Sequence, residues 1–405
     1  MRPIRIRHGH CLLAGGLEAA DLLLAEGQIV ADAPEAGALE INARGLVVAP
    51  GLVDIHGDAF ERQVMPRPGV MFPLDGAVLD TDRQLAANGI TTAYHALTLS
   101  WEPGLRSVEQ GTAWVDALER MAGRLTVDHR IQLRWETFAE EAIPLCERVL
   151  RGGKQPALAF NDHTSMYMRA RGVPVQERPF EQSPDFQVRD ITEARTRTDM
   201  AGYAKRAGLD IEDYIALIGK VWQRRPKVDG MIRHLAELAR ENGAAMLSHD
   251  DTQDETRNYY RGLGAAIAEF PMRVPVAEIA HARGDAIVFG APNVVRGGSH
   301  LGSSPNAAEM VERGLCGILA SDYVYPAMMA AAARLHADRR ASLPDVWSRV
   351  SAGPAHALGL TDRGQVAEGK RADLVLLDWP EGQAPAVKAT ISGGRIAYLS
   401  GNLLN

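Results

Sequence analysis

The chain has 405 residues, 46% of them hydrophobic and 23% charged, enough for one large barrel with a smaller module or for two ordinary domains. Its formal net charge of −7 excludes the basic excess of a general nucleic-acid binder, but not a local basic pocket for a phosphorylated substrate. The cysteines Cys11, Cys146 and Cys316 are far apart and odd in number, with no CxxC pair, which argues against a disulfide framework or a cysteine zinc cluster and for a reducing compartment.

The opening MRPIRIRHGHCLLAGG carries charges but no sustained apolar core of the signal-peptide kind. No run of about 18 apolar residues follows, so no membrane span is expected and the expected location is the cytoplasm. Residues 1–50 read as short strands joined by Gly-rich turns, as in CLLAGG and LLAEGQIVADA. Residues 362–405 read the same way, with RADLVLLD and AVKATISGGRIAYLSG. Both ends are therefore expected to form one small β-sandwich.

Residues 51–361 differ. Short apolar runs alternate with helix-length segments. The runs are GLVDIHGD (51–58), TTAYHALT (91–98), RIQLRWETF (130–138), PALAFNDH (156–163), AAMLSHDD (244–251), GAAIAEFP (264–271), AIVFGAPN (286–293) and CGILASDY (316–323). Helices are expected at SVEQGTAWVDALERMAG, DIEDYIALIGKVWQRR and DGMIRHLAELARENG. Eight strand-like runs separated by helical stretches predict an α/β fold, a (β/α)8 TIM-like barrel. The polar stretch 164–208 is too long for a simple connection and reads as an inserted loop suited to a lid.

The ends of these runs carry His56 and Asp58, His95, Glu136, Asp162 and His163, His249 to Asp251, Glu269, Asn293 and Asp322. A barrel gathers such ends on one rim, and burying so many polar groups without partners is costly. His56 and Asp58, two apart on a strand, point the same way and can share a cation. Imidazole with carboxylate suits zinc, iron or manganese. The bland alternative is a turn with a solvated Asp and a satisfied His. His249 reads as a ligand or as a structural histidine at a helix N-terminus, with Asp250 or Asp251 capping the following helix. His163 reads as a ligand oriented by Asp162, or as a structural histidine. Glu136 could bridge two metals, or pair with Arg134. Asp322 could bind metal and take a proton from an attacking water, or cap a helix. Glu269 carries least weight, because EFP also reads as a strand end before a bent turn. The stretch NVVRGGSHLGSS (293–304) offers backbone N–H groups, hydroxyls, Arg296, Ser299 and His300 to a phosphate, or else is a flexible loop. It is not a P-loop, and no GxSxG elbow occurs.

GLVVAPGLVDIHGD and DRGQVAEGKRADLVLLD resemble the opening and the closing return of the amidohydrolase superfamily, and bracket almost the whole chain. Within it, VDIHGDAFERQVMPRPGV, RWE, FNDHT, LSHDD, AEFP, APNVVRGGSH and ASDY resemble the alkylphosphonate-utilisation diphosphatase family, in the same order from 53 to 323. HGD stands where most amidohydrolases have HxH. The resemblance implies one or two divalent metals, zinc first with iron or manganese as alternatives, held by His56, Asp58, Glu136, His163, His249 and Asp322. It implies a phosphorylated small-molecule substrate, Asp322 as proton acceptor, and Arg296, Ser299 and His300 as phosphate contacts. The implied reaction is hydrolysis of ribose 1-alkylphosphonate 5-triphosphate to pyrophosphate and the 5-phosphate. One departure stands out: after FNDHT the family continues with Pro-Gly-Gln, and this chain with SMYMRARGVP. The rival readings are a hydrolase of C–N bonds, such as a deacetylase or cyclic amidase, and a barrel without metal that acts by association. No nucleic-acid or membrane partner is expected. A homo-oligomer is compatible with the sequence, though nothing in it requires one.

Overall fold

The structure, a computed structural model, describes residues 2–32 and 37–404. The N-terminal strands are β1 (Ile4–Leu13), β2 (Gly16–Ala25), β3 (Gln28–Val30), β4 (Leu39–Asn42) and β5 (Val47–Pro50). β1 and β2 pair antiparallel across the two-residue turn Ala14-Gly15. A bulge interrupts β1 between Ile6 and Gly9, where His8 adopts φ 64°. The bulge divides the other edge of β1, which pairs with β4 before it and with β5 after it. Gly9 is required there, since a Cβ would lie 2.7 Å from the Val48 side chain.

The next eight strands are β6 (Leu52–Gly57), β7 (Ile90–Leu99), β8 (Asp128–Glu136), β9 (Ala157–Asn161), β10 (Ala245–His249), β11 (Ile267–Glu269), β12 (Ala286–Gly290) and β13 (Ile318–Ala320). Each pairs in parallel with the next in chain order. A single bridge, Gly57 to Asp322, joins the last strand to the first. All eight expected runs thus form the barrel. Their near-continuous apolar character follows from burial on both faces. The outward face packs on helices through Trp114, Trp135, Phe160 and Met246 on one side and Phe289, Leu319, Met328 and Trp347 on the other. Full burial of Trp135 or Phe160 contributes about 2–3 kcal/mol each.

The chain then returns as β14 (Leu374–Asp378), β15 (Ala386–Ser392) and β16 (Arg395–Leu399). β14 pairs antiparallel with β5, so both ends of the chain share one eight-stranded sheet. Its core holds Ile6, Leu24, Ile41, Val48, Leu374, Leu376 and Ile391.

The three expected helices are present as Val108–Met121, Ile211–Trp222 and Arg225–Glu241. Ser107 and Asp210 cap the first two through their side chains. The segment 164–208 corrects the loop reading, because it contains the helix Ala194–Ala207. Its sequence is polar, and only Thr196, Met200, Ala204 and Ala207 are buried, so the apolar stripe is thin and built of small residues. The same segment touches the barrel mouth. Arg178 donates to the Asp250 carbonyl at 3.1 Å and Gln176 donates to Ser304 Oγ at 3.2 Å. Among the described residues no helix is long and apolar enough to cross a membrane.

Candidate metal and anion site

The floor of the site forms where the barrel closes. The register between β6 and β7 shifts by one residue between Asp54 and Gly57, so β6 bulges just before its end. The Asp322 N–H donates to the His56 carbonyl at 2.9 Å, and the Asp58 N–H donates to the Asp322 carbonyl at 3.0 Å. Buried Asp54 accepts from the Ser321 N–H at 3.0 Å and from the His56 N–H at 3.3 Å, locking the two strands together. Gly57 admits no side chain: a Cβ would lie 2.5 Å from Asp54 Oδ2 and 3.0 Å from Ser321 Oγ.

This seam brings ligand atoms of His56, Asp58 and Asp322 within 4.8 Å of one another. His56, His249 and Glu269 form a second such group, with His56 common to both. His56 Nδ1 lies 3.0 Å from Glu269 Oε1 but is not aligned for a hydrogen bond. Both ring nitrogens of His249 and Oε2 of Glu269 are also buried without a hydrogen-bond partner. Buried nitrogen and oxygen donors gathered within 4.8 Å of one another fit a divalent cation. Gln132 donates to Glu269 Oε1 at 2.7 Å and to the Ile55 carbonyl at 3.2 Å, which fixes the carboxylate. Burial holds the His249 imidazole below its ordinary pKa, favouring the neutral form that ligates metals. Burial, and then the charge of Asp58, push the Asp322 carboxyl above its ordinary range.

The backbone is strained at the same place. Asp250, Phe270 and Asp322 have φ of 60°, 54° and 54°, so three strand ends finish on non-glycine residues in the left-handed region. Phe270 thereby sets its ring edge-on to His56 at 4.9 Å and to His249 at 5.4 Å.

The expected site residues divide. His56, Asp58, His249 and Asp322 meet in the two groups, and Glu269, given least weight from sequence, joins them. Glu136 lies outside both groups. Its carboxylate accepts from Asn161 Nδ2, the His163 N–H, the Thr164 N–H and Thr164 Oγ1, at 2.7–3.0 Å. It anchors the helix His163–Met168, and its oxygens are committed there rather than to a bridging position. His163 also lies outside both groups, but lines the same pocket with its ring 6.3 Å from that of His249. Asp162 does not orient His163. It caps the helix by accepting from the Ser165 N–H and hydroxyl. Asp250 and Asp251 do not cap the helix Asp254–Gly262, whose N-cap is Gln253. Asp250 instead lies 3.2 Å from His249 Nδ1.

His95 faces away from the rim. It packs on Phe60 and Trp114, and its Nε2 meets His129 Nδ1 at 2.8 Å, while His129 Nε2 meets Asp82 at 3.0 Å. Burial, and then the neighbouring His129, hold His95 well below its ordinary pKa. The unfolded chain thus binds a proton near pH 6.5 that the folded chain refuses. Stability from this group is complete above that pH and falls below it by about 1.4 kcal/mol per unit until the folded pKa is reached. Urea melts of wild type and His95→Gln between pH 7.5 and 5.5 are expected to show the wild type losing about 1 kcal/mol more than the variant. Equal losses would show that His95 takes up its proton without unfolding.

Above the floor lies a cavity of about 470 Å³, lined by the floor residues and by Arg106, Arg134, Arg206 and Arg296. Leu133 and Trp135 of β8 pack outward on the helices, so Gln132, Arg134 and Glu136 alternate inward. Arg134 is 7% exposed, lies 3.6 Å from Asp58, and its Nε has no hydrogen-bond partner. The first third of the Gly- and Ser-rich stretch is helical, not loop. The helix Ala291–Arg296 ends on Gly297 at φ 83°, which places Arg296 in the last turn. Asn293 pins the loop by accepting from the Ala307 N–H at 3.0 Å and donating to the Pro305 carbonyl at 2.9 Å. Ser299 and His300 line the cavity with Arg296. Gly290 leaves the space open, since a Cβ there would lie 3.2 Å from Asp322 Oδ2.

Residues 83–398 match the amidohydrolase family. The chain belongs to the amidohydrolase family. It is a hydrolase of that superfamily, whose members are in general dependent on divalent metals. It is 31% identical over 350 residues to the Escherichia coli (strain K12) alpha-D-ribose 1-methylphosphonate 5-triphosphate diphosphatase, covering 83% of this chain and 84% of that protein. In fold it is similar to dihydropyrimidinase from Brevibacillus agri NCHU1002, with a TM-score of 0.60 and 15% identity over 97% of this chain and 94% of that one. It is also similar to D-hydantoinase from Bacillus sp. AR9, with a TM-score of 0.59 and 15% identity over 98% and 95% of the two chains. At that identity these two solved structures bear on the fold alone.

Proposed function

We propose that the protein cleaves the α–β phosphoanhydride of α-D-ribose 1-methylphosphonate 5-triphosphate and releases pyrophosphate. The observation that carries this reading is Arg134, a buried guanidinium with an unpartnered Nε, set beside candidate ligand Asp58 in the cavity wall. A buried guanidinium N–H without a hydrogen bond is costly, and a phosphoryl oxygen is a partner that satisfies it. The diphosphatase relative supports the same chemistry.

In this reading His56, Asp58, His249, Glu269 and Asp322 hold a divalent cation, zinc being the first choice for the donor set. That cation supplies Lewis-acid polarisation and a more acidic water. Asp322, with its carboxyl pushed up by burial, accepts the proton of the attacking water. Arg134 stabilises the charge gathering on the α-phosphoryl oxygens. Arg296, Ser299 and His300 receive the leaving pyrophosphate. The protein acts as a cytoplasmic enzyme on a small anionic substrate.

The test is phosphorus NMR of metal-loaded protein incubated with the triphosphate. Pyrophosphate appearing together with the 5-phosphate is the expected result. Release of amine from a cyclic amide or an N-acetyl sugar, with the triphosphate untouched, would assign the site to C–N bond hydrolysis instead.

A further inference from the structure

The cavity has a second cationic wall that the reaction above does not use. Arg134 belongs to the third barrel strand and Arg296 follows the seventh, so in a ring of eight they stand across the mouth from one another. Arg106 follows the second strand, and Arg206 comes from the helix Ala194–Ala207 inserted after the fourth. Both therefore lie on the Arg134 side.

Each of these guanidiniums is braced from behind. Arg106 donates through Nε and Nη2 to the Glu61 carboxylate, both at 2.9 Å. Arg206 donates to the Tyr167 hydroxyl at 2.9 Å and lies 3.4 Å from Glu102. Both guanidiniums line the same cavity. Two like charges held together by rigid partners form a cradle that an oxyanion relieves. Tyr167 comes from SMYMRARGVP, the stretch that departs from the family pattern, and Arg206 lies further along the same insertion.

We propose that Arg206, with Arg106 reaching back from it to within 3.8 Å of Asp58, forms a second anion subsite, which reads a phosphonate carried by the sugar at the end remote from the scissile anhydride. The assignment rests on the diphosphatase reading. With pyrophosphate leaving toward Arg296, the anomeric substituent of a ribose triphosphate points toward Arg106 and Arg206. The enzyme therefore selects substrates that are anionic at both ends.

The test compares kcat/KM for α-D-ribose 1-methylphosphonate 5-triphosphate and for D-ribose 5-triphosphate, followed by pyrophosphate release. Metal-loaded wild type, Arg206→Met, Arg206→Lys and Arg106→Met are measured side by side. Wild type is expected to favour the phosphonate by about 10- to 100-fold, the worth of one or two charge-assisted hydrogen bonds. Arg206→Met and Arg106→Met are expected to bring that ratio down to a few-fold, and Arg206→Lys to leave it in between. A wild-type ratio near one, or a ratio unchanged in both methionine variants, overturns the subsite while the diphosphatase reading stands. If wild type releases pyrophosphate from neither compound, the diphosphatase reading falls and the subsite falls with it.

Discussion

Asp322→Asn is expected to lower kcat for pyrophosphate release by about 10³-fold, while the protein stays folded and retains its metal. The substitution is nearly isosteric, and asparagine tolerates the φ of 54° at this position better than other residues do. The backbone bonds that close the barrel use the N–H and carbonyl of residue 322, so they survive the change. What is lost is a carboxylate able to take a proton beside Asp58 and His56. Elemental analysis of the variant separates the two roles of Asp322. Metal retained with kcat down places the loss on proton transfer, and metal lost with kcat down places it on ligation. A variant that keeps its metal and turns over within a few-fold of wild type would remove Asp322 from the chemistry.

Arg257→Met is expected to cost about 3–5 kcal/mol of folding free energy, a larger effect than removing any single surface charge. Arg257 is fully buried behind β10 and β11. Its Nε faces Asp285 at 3.3 Å, and its Nη1 reaches Asp251 at 3.4 Å and the hydroxyl of Ser248. Methionine fills the space but leaves two buried carboxylates without their shared counter-charge. Burial already pushes Asp251 up to about 6 with the arginine present. Urea denaturation should show the loss, and adding Asp251→Asn should restore part of it. A loss under about 1 kcal/mol would mean that Arg261, which also pairs with Asp285, carries the neutralisation alone.

The barrel was legible because buried parallel strands leave short apolar runs, most of them with a polar residue at or just beyond the end. The floor was legible to the extent that a candidate ligand lies at or near the end of a run, as His56, His249 and Asp322 do. Glu269 was underrated because EFP carries a local turn signal, whereas its partners His56, His249 and Gln132 are brought in only by the ring of strands. Glu136 falls outside the two candidate groups for the converse reason. Its spacing on β8 turns it inward, but the donors that claim it belong to the start of the next helix. The cationic wall was missed although one signal was present: Gln132, Arg134 and Glu136 alternate with Leu133 and Trp135, a strand that is polar on its inner face. Arg106 and Arg206 left no signal, since each lies in a connection and reaches the cavity only through the fold.

The seam at Gly57 and Asp322 has a consequence for how the molecule is made. Asp54 and Ser321, which lock it, are 267 residues apart in the chain. Closing so long a loop is slow and entropically uphill, and two backbone hydrogen bonds repay little of that cost. In the proposed site, a cation held by His56 and Asp58 on one side and Asp322 on the other would join the earliest barrel strand to the latest. It would act as a staple that stabilises the closed ring in proportion to the logarithm of its concentration over its Kd. On that reading, a chain emerging during synthesis has no complete metal site until residue 322 is out. Assembly of the ring and gain of activity would then be one event, and a chelator would attack the hoop itself rather than a loop on its rim.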